Sequence, residues 1–175
     1  MIWHVVAGVR KKVVNVANEL IGTIDKLNSA IRSEKVMRIA LSSVLARHKR
    51  RIFEKGLDGN DSKIGTYSTK PISIAKKNQA RNTGKTYFKN GYAEYHGLIG
   101  KGSTNVVLRN TDQMRMDYGL IINGNSYGFG FQNKLNYDKS QWMEEKYQKD
   151  IFDNDSQELD ILANVLVYEL TKSLS

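Results

Sequence analysis

Cysteine is absent from the 175-residue chain, which excludes a disulfide framework, thiolate metal sites and cysteine nucleophiles. Proline occurs once, at Pro71, so no proline-rich linker divides the chain. The three histidines, His4, His48 and His96, stand at no metal-ligand spacing from one another or from an Asp or Glu, and neither a metal nor a cofactor is expected. No apolar run approaches the roughly 20 residues that cross a bilayer, so no membrane partner is expected. The opening Met1 to Val9 is apolar but short. It has no leading basic region and runs into Arg10-Lys11-Lys12, unlike a secretory signal. These absences lead to the expectation of a protein made and used in a cytoplasm.

Apolar residues make up 40% and charged residues 26%, a globular composition. The length suits one domain that buries roughly 70% of its unfolded surface. Charge is distributed unevenly. Residues 1–55 carry 12 basic and 4 acidic side chains, whereas residues 150–175 carry 1 and 6. The whole chain is at +9, basic at the front and acidic at the back. Such asymmetry suits contact with nucleic acid or head-to-tail contact between copies.

Periodicity divides the chain into a helical part at 1–55, a loop-rich β part at 56–135 and C-terminal helices at 136–175. Val6, Val9, Val13, Val16, Leu20 and Leu27, widened by Ile24 and Ile31, predict an amphipathic helix over about residues 3–31. It reads either as a subunit-contact helix or as a core-facing one. Ser33-Glu34 opens a second helix with Met37, Leu41, Val44, Leu45, His48 and Ile52 on one side, stopped at Lys55-Gly56. Its last turns carry Arg47-His48-Lys49-Arg50-Arg51. That run is either a solvated basic face favoured by the helix dipole or a phosphate-binding patch. His48 itself reads as a packing or surface residue.

Ile72-Ser73-Ile74 alternates as a strand does, and residues 76–91 form a polar, basic excursion expected to be a mobile loop. Within it, Lys85-Thr86-Tyr87-Phe88-Lys89 interleaves aromatics with cations. This mixture stacks on bases or forms a short strand with basic edges. Further on, Tyr118–Ile122 and Tyr127–Phe131 flank Asn123-Gly124-Asn125-Ser126. An Asn-Gly hairpin is predicted, both central residues taking positive φ. Tyr127, Phe129 and Phe131 share one face and the glycines the other, where another backbone can approach. Asp138 with Gln141 resembles a capping box ahead of Trp142 and Met143, and Ser156 is the expected cap of the last helix. The fold class is α+β: long N-terminal helices, a small antiparallel sheet with its hairpin, and C-terminal helices.

No catalytic constellation emerges. Glu94-Tyr95-His96-Gly97 sets a carboxylate near an imidazole, a base with its orienter for a small hydrolase, but without a nucleophile or a metal. Gly84-Lys85-Thr86 fails as a P-loop because Gln79 stands where the first glycine belongs. Asp58-Gly59-Asn60-Asp61-Ser62 fails as a calcium loop, with Lys63 at the glycine position and Thr69 at the bidentate one. It reads as an Asx-rich turn.

One ordered series of short motifs points elsewhere. Arg51-Ile52-Phe53-Glu54-Lys55-Gly56, Asp58-Gly59 and Ile64-Gly65-Thr66-Tyr67-Ser68-Thr69-Lys70-Pro71 come first. Val107-Leu108-Arg109-Asn110-Thr111 follows. Phe129-Gly130-Phe131, Glu145-Lys146-Tyr147, Asp150-Ile151-Phe152, Ser156 and Glu158 complete the series. Over about residues 45–170 this resembles the tail-completion and head–tail joining proteins of tailed bacteriophages. It departs from them at Asp112, where the family usually shows glycine.

The resemblance implies a non-enzymatic virion protein, assembled in the host cytoplasm. It would form a six- or twelve-fold homo-oligomeric ring between portal-connector and tail proteins, around a channel for double-stranded DNA. On that reading Arg47, Lys49, Arg50, Arg51, Lys76, Lys77, Arg81 and Lys85 are candidates for DNA or channel contact. Glu158 and Asp160, meeting the basic front of the next copy, and Tyr127, Phe129 and Phe131 are candidates for the subunit interface. The alternative is a basic nucleic-acid-binding module.

Overall fold

The computed structural model describes residues 18–29, 32–102 and 104–174. Val6, Val9, Val13, Val16, Ile31 and His4 therefore lie outside the described residues. Helix α1 occupies residues 18–29, with Leu20, Ile21 and Ile24 exposed and Leu27 half-buried. Helix α2 (Glu34–Arg50) buries Val36, Ala40, Leu41, Val44 and His48, the i, i+4 repeat of a core-facing stripe. Met37 and Leu45 flank that stripe, half-buried.

The helix then widens into a π-turn over Arg51–Lys55 in which Arg51, Ile52 and Phe53 are all buried. Three consecutive buried residues span too wide an arc for one helix face, so neighbours enclose the turn from several sides. Gly56 ends it at φ 68. A Cβ there would stand 2.1 Å from the Val106 carbonyl oxygen, so both conformation and space require glycine.

The next segment is held by local bonds rather than regular structure. Asp58 Oδ1 accepts from the backbone N–H of Asn60 and Ser62, each at 2.9 Å, the Asx turn its sequence suggested. Strand β1 (Ile72–Ser73) pairs antiparallel with β2 (Tyr87–Phe88), Ile72 opposite Phe88. The intervening excursion carries its own local hydrogen bonds. Gln79 donates through Nε2 to the carbonyls of Ile74 at 3.0 Å and Lys85 at 2.6 Å. Its Oε1 accepts from the Thr83 hydroxyl at 3.0 Å. The Ala80 N–H donates to the Tyr95 hydroxyl at 2.6 Å. Helix α3 (Gly91–Leu98) follows, and Phe88, Tyr95 and Ile99 form a small apolar cluster with Ile72 and Ile74.

After the short α4 (Gln113–Asp117), strands β3 (Tyr118–Asn123) and β4 (Ser126–Phe131) pair antiparallel from Tyr118–Phe131 to Asn123–Ser126. Gly124 and Asn125 therefore span the turn, with Gly124 at φ 58 and Asn125 not left-handed. Asn-Gly is not the central pair, and only one of the two turn residues uses positive φ. Helix α5 (Lys134–Tyr147) starts four residues before the capping box read at Asp138. Asn133 is its cap, accepting from the Leu135 N–H at 2.9 Å. Asp138 instead pairs with Lys134 one turn back, at 2.7 Å.

Helix α6 (Ser156–Leu174) is capped by Asp155 rather than Ser156. Asp155 Oδ1 accepts from the Glu158 N–H at 2.7 Å and Glu158 Oε2 from the Asp155 N–H at 3.0 Å, a reciprocal capping box. The main core comprises Ile52, Phe53, Ile64, Val106, Leu108, Tyr118 and Ile151, each worth about 1.5–3 kcal/mol when fully buried. The architecture is α+β, with two small antiparallel sheets among the described residues.

Candidate functional site

The basic run at the end of α2 is split by the fold. Arg51 is 2% exposed and Glu158 1%, so neither faces solvent or a second molecule. Arg51 Nε lies 3.2 Å from Glu158 Oε1, and its Nη1 donates to the Leu57 carbonyl at 3.1 Å. Its Nη2 donates to the Asp153 carbonyl. Arg47 Nη2 reaches Asp155 Oδ2 at 2.9 Å. His48, fully buried, donates from Nδ1 to Glu158 Oε2 at 2.8 Å, and its Nε2 lies 2.8 Å from the Tyr118 hydroxyl.

Burial by itself would raise the Glu158 carboxyl, but the bonds from His48 and Arg51 and from the Asp155 N–H outweigh it, holding it at about 2. Burial drives the Tyr118 phenol well above its ordinary value. The expected meeting of the basic front with the acidic last helix therefore occurs within one chain. Asp160 stays exposed.

Lys49, half-buried, donates to the Tyr118 carbonyl at 2.7 Å. Its pKa is lowered, first by burial and then by Arg115. Arg50 remains exposed near Glu54 at 4.0 Å. With Arg47, Arg51 and Lys55 it lines a depression of about 330 Å³. Lys76, Lys77 and Arg81 are exposed, while Lys85 pairs with Glu94 at 2.5 Å.

Of the interface aromatics, Phe129 stacks on His48 at 4.9 Å between centroids, and Phe131 packs on Tyr118 and Phe152. Both serve the intramolecular core, and Tyr127 is half-buried. The opposite face of the hairpin carries Gly119, Gly128 and Gly130, and a Cβ on Gly130 would stand 3.0 Å from Ile121. A Cβ on Gly119 or Gly128 would meet nothing within 4 Å.

Glu94 and His96 do not work as a pair. Glu94 is turned to Lys85 and to the Asn90 N–H at 3.0 Å, whereas His96 stacks on Tyr67 at 4.0 Å. His96 borders a cleft of about 530 Å³ that the sequence pattern did not reveal. One wall carries Tyr67, Tyr92 and His96; Val106–Met114 runs along it; Trp142, Met143 and Lys146 of α5 close it. His96 is 4% exposed and its Nδ1 is buried without a partner. Burial and the nearby Lys101 lower its pKa to about 4, so the ring is neutral near pH 7. Burial pushes the Tyr67 phenol up to about 12.

Asp112 stands at the rim, in ion pairs with Lys101, Arg109 at 2.7 Å and Arg115 at 3.3 Å. The Arg109 hydrogen bond is the main reason its carboxyl sits well below the usual range. Its φ of 60 is the left-handed conformation that glycine adopts without strain.

Lys146 lies over the Trp142 ring at 4.7 Å. The sequence held one half of this cleft. Lys139, Trp142, Met143 and Lys146 recur at helical spacing and share one side of α5. The facing wall, built from Tyr67, Tyr92, His96 and residues 106–114, has no periodic signal. Among the described residues, no cluster of three His, Asp or Glu is placed to hold a metal ion, and no helix is long and apolar enough to cross a membrane. No family model, curated protein or solved structure matches the chain.

Proposed function

We propose that the protein is a structural assembly subunit that closes into a homo-oligomeric ring, in the manner of the phage head–tail connector and tail-completion proteins its motifs resemble. In that role it joins a portal-connector to a tail around a DNA channel, within the virion neck. One observation carries the reading: apolar side chains on α1 and α6 lie open to solvent. Leu20 is 62% exposed, and on α6 Leu159 is 50%, Val167 63% and Tyr168 64% exposed. Helices α1 and α6 thus present apolar side chains that a second copy covers.

The glycine face of the hairpin, with space beside Gly119 and Gly128, supports the same reading. So do its outer edges, since β3 and β4 form a two-stranded sheet among the described residues, whose outer sides suit a neighbour's strand. Interface charge comes from residues that remain exposed, Asp160 among them, rather than from Glu158. Of the candidate DNA contacts, Arg50, Lys76, Lys77 and Arg81 keep exposed side chains.

The test is the solution mass of the purified chain at low and high salt, with negative-stain images of the same sample. Closed rings that survive salt are expected, and the Val167→Asp, Tyr168→Asp double variant is expected to shift the mass to monomer. A wild-type monomer that binds duplex DNA with steep salt dependence would favour the nucleic-acid module instead.

A further inference from the structure

We propose that the cleft between α5 and the 106–114 segment is a binding site for a nucleoside monophosphate, its base against Trp142 and Tyr92 and its phosphate at Lys139 and Lys146. Three observations converge on this chemistry. The volume, about 530 Å³, falls within the roughly 300–1,000 Å³ of small-molecule sites. Two aromatic rings that border it, Trp142 and Tyr92, are themselves substantially exposed, as a platform for a planar ligand must be.

Lys139 and Lys146 line the cleft, and neither has a carboxylate partner among the described residues. The rim's carboxylate, Asp112, is already engaged by three cations. The lining therefore keeps a positive surplus suited to phosphate.

An acidic peptide fits less well. Its carboxylates would reach the two lysines, but aliphatic side chains would leave the Trp142 and Tyr92 rings without a planar partner. An inorganic anion would use the lysines and leave the aromatic wall idle.

Calorimetric titration of the full-length chain at low salt tests the proposal. The probes are the four nucleoside 5′-monophosphates, inorganic phosphate, a tyrosine-containing acidic peptide and a thymidylate tetramer. One saturable site for at least one nucleotide is expected. Trp142→Ala and Lys146→Gln should each weaken it by about tenfold, and Arg50→Gln, on the separate basic depression, should leave it unchanged. Both cleft residues are exposed, so these variants keep the fold, which circular dichroism verifies.

A tetramer binding more than about tenfold tighter than the mononucleotide identifies a nucleic-acid strand as the source. Comparable affinities identify the free nucleotide, and either result supports the site. Phosphate binding as tightly as every nucleotide overturns it. So does binding of the peptide alone, binding insensitive to Trp142→Ala, or no nucleotide binding at millimolar concentration.

Discussion

Two clusters of charge use the same residue types to different effect. Around Glu158 and Asp155 gather Arg47, Arg51 and His48, and Arg51, His48 and both carboxylates are buried. Around Asp112 gather Lys101, Arg109 and Arg115, all partly open to water. The first cluster joins the end of α2 to the start of α6 and is closed by backbone donors and acceptors as well as by charge. The second sits at the rim of a cleft and has more cations than carboxylates. Desolvation makes the difference. A buried charge that loses its partner has no water to turn to, whereas a rim charge is rehydrated when its partner leaves.

The sharpest way to break this contrast is Glu158→Gln. It removes one of the carboxylates beside the buried Arg51, leaving Asp155 at 3.5 Å, and disturbs the α6 cap, so a loss of about 3 kcal/mol is expected in chemical denaturation. A loss below 1 kcal/mol would place this cluster in the same energetic class as the surface pairs.

The pH profile separates two groups. Glu158 has a folded pKa of about 2, below its ordinary value of 4.5. The unfolded chain therefore takes up the proton first, and stability present above about 4.5 is lost as pH falls towards about 2. His96 is depressed from 6.5 to about 4. The unfolded chain again binds the proton first, so its contribution is lost as pH falls from 6.5 to about 4. Denaturant midpoints measured at half-unit pH steps should show both declines, and His96→Phe should remove only the upper one.

Smaller effects lie at the rim. Asp112→Asn keeps a residue that tolerates the left-handed conformation and removes the charge, so a cost of about 1 kcal/mol or less is expected. Asp112→Gly removes the charge and relieves the backbone together, and is expected to fall closer to neutral than the Asn variant. A larger loss for Gly than for Asn in thermal unfolding would mean that the side chain, not the φ, matters at this position.

Much of the fold was legible from local signals. The α2 stripe ending at Lys55-Gly56 follows from helical spacing and from a glycine free to go left-handed. The alternation of Tyr127, Phe129 and Phe131 against glycines follows from strand geometry, and the Asp58 turn from its side-chain chemistry. Cap positions were less legible. Asp155 rather than Ser156, and Asn133 rather than Asp138, begin the C-terminal helices. Polar residues one to five positions apart compete for that role, and tertiary partners choose among them. At Asp155 the choice is made by Arg47 and by Glu158, which stands three residues on.

The sequence by itself determined the element types, the basic front and acidic back, and the absence of any sulfur-based chemistry, because each depends on residue identity and spacing within a few turns of chain. Only the tertiary structure decided where those charges go. Arg51 and Glu158 are 107 residues apart, and nothing local distinguishes a cation that will be buried from Arg50 beside it. The same holds for the cleft, whose α5 wall is periodic and whose other wall is irregular. A side chain's effect depends on how much water it keeps, and that is set by which distant segment packs over it.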